Sequence, residues 1–316
     1  MDRREFLTTA AAAGLATALG SQLAQGEPRP LPRRRLGKTP ERISVLGLGG
    51  IVVMGGTQEE ASRVVRDAVN RGVNYFDVAP SYGDGEAEQK LGPALEGYRD
   101  RVFLACKTAR RDRGGAAEEL QTSLERLRTN RLDLYQLHGL TSVDEVRTAL
   151  GPDGAIEALR EARERGQVRY LGFSAHSVDA AMAAMDGFAF DTILFPVNWV
   201  CWYKGDFGPQ VLREARSRDM GCLALKAMAR SPWAPGEQHG YPKCWYRPED
   251  DPARAALALR FTLSQPVVAA LPPGDSRLFE LALTVAERYK PITAEERGRL
   301  KMSARDLEPI FRRASA

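Results

Sequence analysis

Along the chain, short apolar runs alternate with longer stretches in which apolar residues recur every three or four positions. These are the signatures of strands buried on both faces and of amphipathic helices. After a Pro- and Arg-rich linker at 27–33, the segments Arg34–Leu36 and Arg42–Leu48 flank Gly37-Lys38-Thr39-Pro40 as hairpin arms, the second running on into Gly49-Gly50. The pattern then predicts helix over 59–71, strand over 73–77, helix over 87–95, strand over 102–107, helix over 117–127 and strand over 132–137. It continues with helix 155–165, strand 168–173, helix 178–185, strand 192–197, helix 209–216, strand 222–225, helix 253–263, strand 267–271 and helix 277–289. With the second hairpin arm counted as the first strand, eight strand-helix units result, and a helix after each strand forces parallel crossovers. The expected fold is α/β, a (β/α)8 TIM barrel over residues 34–290 with an N-terminal β-hairpin and a charged C-terminal helical appendage at 291–316.

Composition changes this picture mainly at the amino terminus. Hydrophobic residues make up 43% and charged residues 27%, and the formal charge of +4 is small for 316 residues. No Lys/Arg block is interleaved with aromatics, so a small-molecule partner is expected rather than nucleic acid. Cys106, Cys201, Cys222 and Cys244 are scattered without a C-x-x-C pair, which argues against a metal motif. Met1-Asp2-Arg3-Arg4-Glu5-Phe6-Leu7 places two arginines ahead of an apolar pair and an Ala-rich run, and resembles a twin-arginine signal peptide. That run is too short and too weakly apolar for a stable membrane span, and Ala24-Gln25-Gly26 suits cleavage after residue 26. Removing 1–26 takes away Asp2 and Glu5 together with Arg3 and Arg4, so the charge stays at +4. The expected location is periplasmic or otherwise extracytoplasmic, with the twin-arginine export machinery as a partner.

Candidate chemistry gathers at consecutive strand ends. The stretch Val73-Asn74-Tyr75-Phe76-Asp77-Val78-Ala79-Pro80-Ser81-Tyr82-Gly83 reads as a buried strand ending at Asp77, followed by a loop carrying Tyr82. The next strand ends in Lys107, a costly place for an ammonium unless a carboxylate such as Asp77 faces it. The strand after that ends in His138. A tyrosine with an ordinary pKa of about 10 is a poor acid at neutral pH, and a neighbouring lysine cation lowers that pKa by favouring the phenolate. In this reading Asp77 holds Lys107, Lys107 activates Tyr82, and His138 positions a carbonyl oxygen that Tyr82 protonates. Reduction at the carbon then calls for a nicotinamide cofactor, because no side chain donates hydride.

These segments, with Gly85-Glu86-Ala87-Glu88-Gln89-Lys90-Leu91-Gly92 and Leu132-Asp133-Leu134-Tyr135-Gln136-Leu137-His138, resemble the aldo-keto reductase family over about residues 35–290. The resemblance implies a catalytic tetrad of Asp77, Tyr82, Lys107 and His138. It also implies NADP, with NAD as the alternative, lying across Gly50, Ile51, Asp77, Ser174, Asn198, Lys226, Gly274 and Arg277. The substrate would be a small carbonyl compound or its alcohol. In that family Ser-Asn holds the nicotinamide amide. Here Ser174 is followed by Ala175, with His176 as a substitute donor or a plain rim residue. Asn198 falls near the family's Gln, and Trp199, Trp202 or Tyr203 could supply a stacking ring. Lys226 suits a diphosphate, and Gly274 with the following helix start suits phosphate. Arg277 stands alone for a 2′-phosphate, since the usual Glu-Asn is missing from Arg277-Leu278-Phe279-Glu280. The long segment 229–251 brings Trp233, His239, Tyr241, Trp245 and Tyr246, suited to stacking on an apolar or sugar-like substrate or to packing the loop down. Two rivals are weaker: a low-turnover dinucleotide-binding barrel with a structural or redox-sensing role, and a barrel hydrolase, which lacks paired acidic strand ends.

Overall fold

The fold is that of a computed structural model and is described for residues 30–313. The segment 1–26, expected from the sequence to be a signal peptide, therefore lies outside the described residues. Strands β1 (Arg33–Arg35) and β2 (Arg42–Ser44) form an antiparallel hairpin. The barrel strands follow as β3 (Leu48–Gly49), β4 (Tyr75–Asp77), β5 (Phe103–Thr108), β6 (Leu132–Leu140), β7 (Val168–Ala175), β8 (Thr192–Pro196) and β9 (Gly221–Leu225). A second small hairpin, β10 (Ala229–Pro232) with β11 (Tyr246–Pro248), precedes the last barrel strand, β12 (Ala269–Leu271). The eight barrel strands pair in parallel in the order β3-β4-β5-β6-β7-β8-β9-β12. A parallel bridge between Leu46 and Ala270 brings the two edges together.

The strands read as unbroken apolar runs because both faces are buried. Leu134, Leu194, Leu223 and Phe103 fill the interior, while alternate residues such as Phe76, Leu104, Leu137 and Phe195 pack outward against helices. The N-terminal hairpin plugs the amino-terminal end with Leu36 and Ile43, which join the interior cluster. Its turn needs Gly37: φ is +53°, and a β-carbon there would lie 2.3 Å from the Gly221 nitrogen.

The second hairpin arm is not itself the first barrel strand, contrary to the sequence pattern. Ser44 donates from its backbone to Asn74 Oδ1 at 2.6 Å and from Oγ to Leu46 O at 2.7 Å, so the run breaks there and β3 starts afresh. Two helices also escaped the periodicity, Val143–Leu150 and Trp199–Lys204, both short and both capped by polar side chains, Ser142 and Asn198. After the helix Ala294–Ser303, residues 307–313 leave the helical path and return toward the barrel, where the Arg313 nitrogen donates to Gly205 O at 2.8 Å. Among the described residues no helix is long and apolar enough to cross a membrane. No group of three His, Cys, Asp or Glu side chains among them could hold a metal ion, and all four cysteines are free and buried.

Candidate active site

Side chains on a strand alternate between faces, so Asp77 on β4, Lys107 on β5 and His138 on β6 all point inward at the carboxyl ends of the strands. Lys107 is fully buried and ion-pairs with Asp77 Oδ1. Its ammonium also donates to Val78 O at 3.0 Å and to the Tyr82 hydroxyl at 3.4 Å. Tyr82 reaches this point from the loop after β4, where Gly83, Asp84 and Gly85 all have positive φ and turn the chain tightly into the helix Glu86–Leu95. The ring of His138 meets the Tyr82 ring edge-on at 5.7 Å, and its Nδ1 lies 3.5 Å from Ser81 Oγ. The four residues singled out in the sequence thus converge.

The electrostatics follow from burial. Burial pushes the Lys107 ammonium toward neutrality, but Asp77 and the Tyr82 hydroxyl outweigh it and hold the pKa above its ordinary value. Burial pushes Tyr82 up, Lys107 pulls it part of the way back, and the net remains above 10. The expected lowering is therefore present as one contribution but does not win in the free protein, because desolvation of a phenolate costs more than one cation already shared with Asp77 returns. His138 is driven down to about 3 by burial, then by Lys107, His176, Arg111 and Lys226, so it is neutral at every working pH.

The other predicted positions divide. Gly50 and Ile51 lie in a single 3-10 turn, Gly50–Val53, and Ile51 presses on Gly274: a β-carbon on Gly274 would come within 2.4 Å of its side chain. Lys243, from the long loop, pins this turn by donating to the carbonyls of Ile51, Val52 and Met54 at 3.0–3.1 Å. Ser174 is buried, and its Oγ accepts the Gly139 N–H at 2.7 Å. Asn198 is a helix cap, accepting from the Cys201 nitrogen at 2.9 Å. Trp199, Trp202 and Tyr203 pack against the cluster around Phe261 instead of offering a ring at the barrel mouth.

The rings at the mouth come from elsewhere. Trp245 and Tyr246 stand 5.3 and 5.0 Å from the Lys226 ammonium, and Phe311, brought by the returning tail, packs on His176 at 5.3 Å and Trp245 at 5.8 Å. Trp233 packs the long loop down, stacking on His239 and donating to Cys244 O at 2.8 Å. Sequence reasoning missed Phe311 and Lys243, whose local surroundings carry no signal. It also missed Tyr75 and Gln136, which sit two positions before Asp77 and His138 and so point the same way.

Whether these residues fit a dinucleotide can be judged from Lys226. Burial lowers its pKa to about 8, two aromatic faces cover it, and no carboxylate lies within ion-pairing distance among the described residues. A half-buried cation of this kind suits a diphosphate. The adenosine end is less open. Arg277 is spent on Asp275, donating to both carboxylate oxygens at 3.1 Å, and it covers the Tyr241 ring at 4.6 Å. Asp275 also caps the helix Ser276–Glu287, so an internal anion already sits at the helix start expected to meet phosphate.

The profile of the Aldo/keto reductase family matches residues 45–252. The chain belongs to that family. Among curated proteins it is 26% identical over 294 residues to the uncharacterized oxidoreductase YqkF of Bacillus subtilis, covering 84% of this chain and 94% of that one. Among solved structures it superposes on an aldo-keto reductase of Bacillus halodurans in its holo form with a TM-score of 0.71 at 26% identity, covering 90% of this chain and all of the other. An aldo/keto reductase of Klebsiella pneumoniae in complex with NADP and acetate shares the fold at a TM-score of 0.66 and 20% identity, covering 89% and 98%. As an aldo-keto reductase, the protein is an NAD(P)H-dependent oxidoreductase that interconverts carbonyl compounds and alcohols.

Proposed function

We propose that this aldo-keto reductase works with NADP, accepting NAD less well, and uses Tyr82 as its general acid and base on a small carbonyl compound or alcohol. The observation that carries the reading is the buried Lys107 ammonium, joined to Asp77 on one side and 3.4 Å from the Tyr82 hydroxyl on the other. The reduced nicotinamide, when bound, supplies the hydride. Tyr82 gives its proton to the substrate oxygen as electrons arrive there, and Lys107 stabilises the phenolate left behind. Neutral His138, with Ser81 at Nδ1, offers Nε2–H to the same oxygen. Lys226 would hold the diphosphate, and Gly50, Ile51 and Gly274 would shape the channel beside it. Trp245, 52% exposed at the mouth, offers a face for an apolar or sugar-like substrate. Support for NADP comes from the Klebsiella protein, which binds it.

Tyr82→Phe keeps the ring and removes the proton. Reduction of a test aldehyde should fall by roughly two to four decades while NADPH binding survives. Near-parental rates would overturn the assignment.

We also propose export by the twin-arginine route to the periplasm with nucleotide already bound. The order Arg3-Arg4-Glu5-Phe6-Leu7 supports this, as does the need of a nicotinamide enzyme to load its cofactor where that cofactor is made. Replacing Arg3 and Arg4 by lysine should leave active protein inside the cell. Unchanged export of that variant would remove the proposal.

A further inference from the structure

Beneath the tetrad lies a second set of polar groups whose distances are as definite as its own. Asp77 meets Lys107 through Oδ1. Its other oxygen, Oδ2, accepts from the Tyr75 hydroxyl at 3.0 Å and from Gln136 Nε2 at 3.2 Å. Tyr75 and Gln136 are both fully buried inside the barrel. We propose that Tyr75 and Gln136 are positioning residues that fix the rotation of the Asp77 carboxylate, so that one oxygen always faces Lys107 and Lys107 faces Tyr82 as a full ammonium.

The alternative is that both merely fill space, and the chemistry of Gln136 argues against it. Its Oε1 has no hydrogen-bond partner among the described residues while its Nε2 bonds Asp77 Oδ2, and an apolar filler such as leucine or methionine would bury the same volume without desolvating an amide. The amide nevertheless turns its NH2 toward the carboxylate. The flipped amide would set two acceptors against each other, so the carboxylate and the amide fix each other's orientation.

Tyr75 comes from the same strand as Asp77, two residues earlier, and Gln136 from β6, so the carboxylate is gripped from two elements at once. Burial, reinforced by the Asp77 charge, holds the Tyr75 phenol well above its ordinary pKa, so it remains a neutral donor throughout the working range. Two neutral donors on Oδ2 draw carboxylate charge away from Oδ1. Less charge at Oδ1 means that Asp77 competes less for the Lys107 proton and cancels less of its field at Tyr82. The groups that act electrostatically on Tyr82 are then Lys107, Asp77 and the buried thiol of Cys106, with the neutral His138 ring packed beside it.

The inference rests on Tyr82 as the proton donor. Its test uses the full chain with NADP and compares Gln136→Met, Tyr75→Phe, the double variant and Thr192→Val. The last removes a buried hydroxyl that has no partner among the described residues, at the start of β8 and away from the tetrad, and serves as the control. Each single variant should lower kcat by roughly 5- to 50-fold with KM for substrate and cofactor within about twofold. Each should also move the alkaline midpoint of alcohol oxidation upward by roughly half a unit to one unit. The double variant should lose less than the product of the singles, because both serve one oxygen. Thr192→Val should leave kcat and the pH midpoint unchanged.

Parental pH midpoints and kcat in Gln136→Met and Tyr75→Phe would overturn the proposal, and so would an equal fall in Thr192→Val. If Gln136→Met fails to fold, as judged by circular dichroism, Tyr75→Phe alone decides the matter by the same midpoint. An inactive Tyr82→Phe beside unaffected floor variants would remove only the positioning role. An active Tyr82→Phe would remove the function beneath it.

Discussion

Replacing Lys107 by methionine separates what the lysine does for catalysis from what it does for the fold. The ammonium lies 3.4 Å from the Tyr82 hydroxyl. At an effective dielectric constant of about 20, that distance corresponds to roughly 5 kcal/mol of attraction to a phenolate, or roughly 3–4 pKa units. Partial screening reduces this, while the Asp77 charge left behind adds in the same direction, so the Tyr82 pKa should rise by roughly 2–4 units. Alcohol oxidation, which needs the phenolate, should have its pH midpoint carried past the top of a pH 6–11 series, leaving only the rising limb in that range. Aldehyde reduction, which needs an acid that gives up its proton readily, should fall by roughly 100-fold or more. Stability must be followed at the same time, because an unpaired buried Asp77 costs roughly 3–5 kcal/mol. Asp77→Asn in the same chain removes the stranded charge and should restore most of the unfolding midpoint without restoring the rate. Thermal unfolding by circular dichroism and initial rates from nicotinamide absorbance across pH 6–11 would measure both. If Lys107→Met kept the parental pH midpoint and reduced the aldehyde within about threefold of the parent, the cation would have no electrostatic role in the proton transfer.

Two further predictions concern the cofactor end. Lys226 has its pKa lowered to about 8 by burial, and a bound diphosphate would raise it again. Nucleotide binding should therefore take up about half a proton near pH 8 and close to one from about pH 9 upward, where it should weaken by up to about tenfold per pH unit, measurable by calorimetry in buffers of different ionisation heat. No uptake in the parent, or the same uptake in Lys226→Met, would separate this lysine from the diphosphate. At the adenosine end Asp275 competes for Arg277, so Asp275→Asn, which still caps the helix, should tighten NADPH more than NADH. Arg277→Ala should weaken NADPH by at most roughly tenfold and leave NADH alone. Fluorescence titration with both nucleotides measures each effect, and equal changes for the two would take the 2′-phosphate away from this arginine.

The tetrad was legible in the sequence because its cause is local. An apolar run that ends in Asp77, Lys107 or His138 places an ionisable group where a parallel strand meets its loop, and the alternation of strands and helices says that those ends share one face. Strand periodicity also shows that Tyr75 and Gln136 point the way Asp77 and His138 do, yet nothing local reveals that both reach the same carboxylate oxygen. Other features depend on partners distant in sequence. Whether Arg277 is free for a phosphate is decided by a carboxylate that also caps its helix, and whether Trp199 offers its ring is decided by Phe261, on a helix more than fifty residues later. Phe311 reaches His176 only because the tail turns back at residue 307 and ties itself to Gly205. Burial periodicity encodes which face of an element turns inward; it does not encode which side chain waits there. The chain by itself thus determined the barrel and which four polar side chains meet at the ends of its strands, whereas the surroundings of Lys226, Arg277 and Trp199 were decided by contacts that exist only once the barrel has closed.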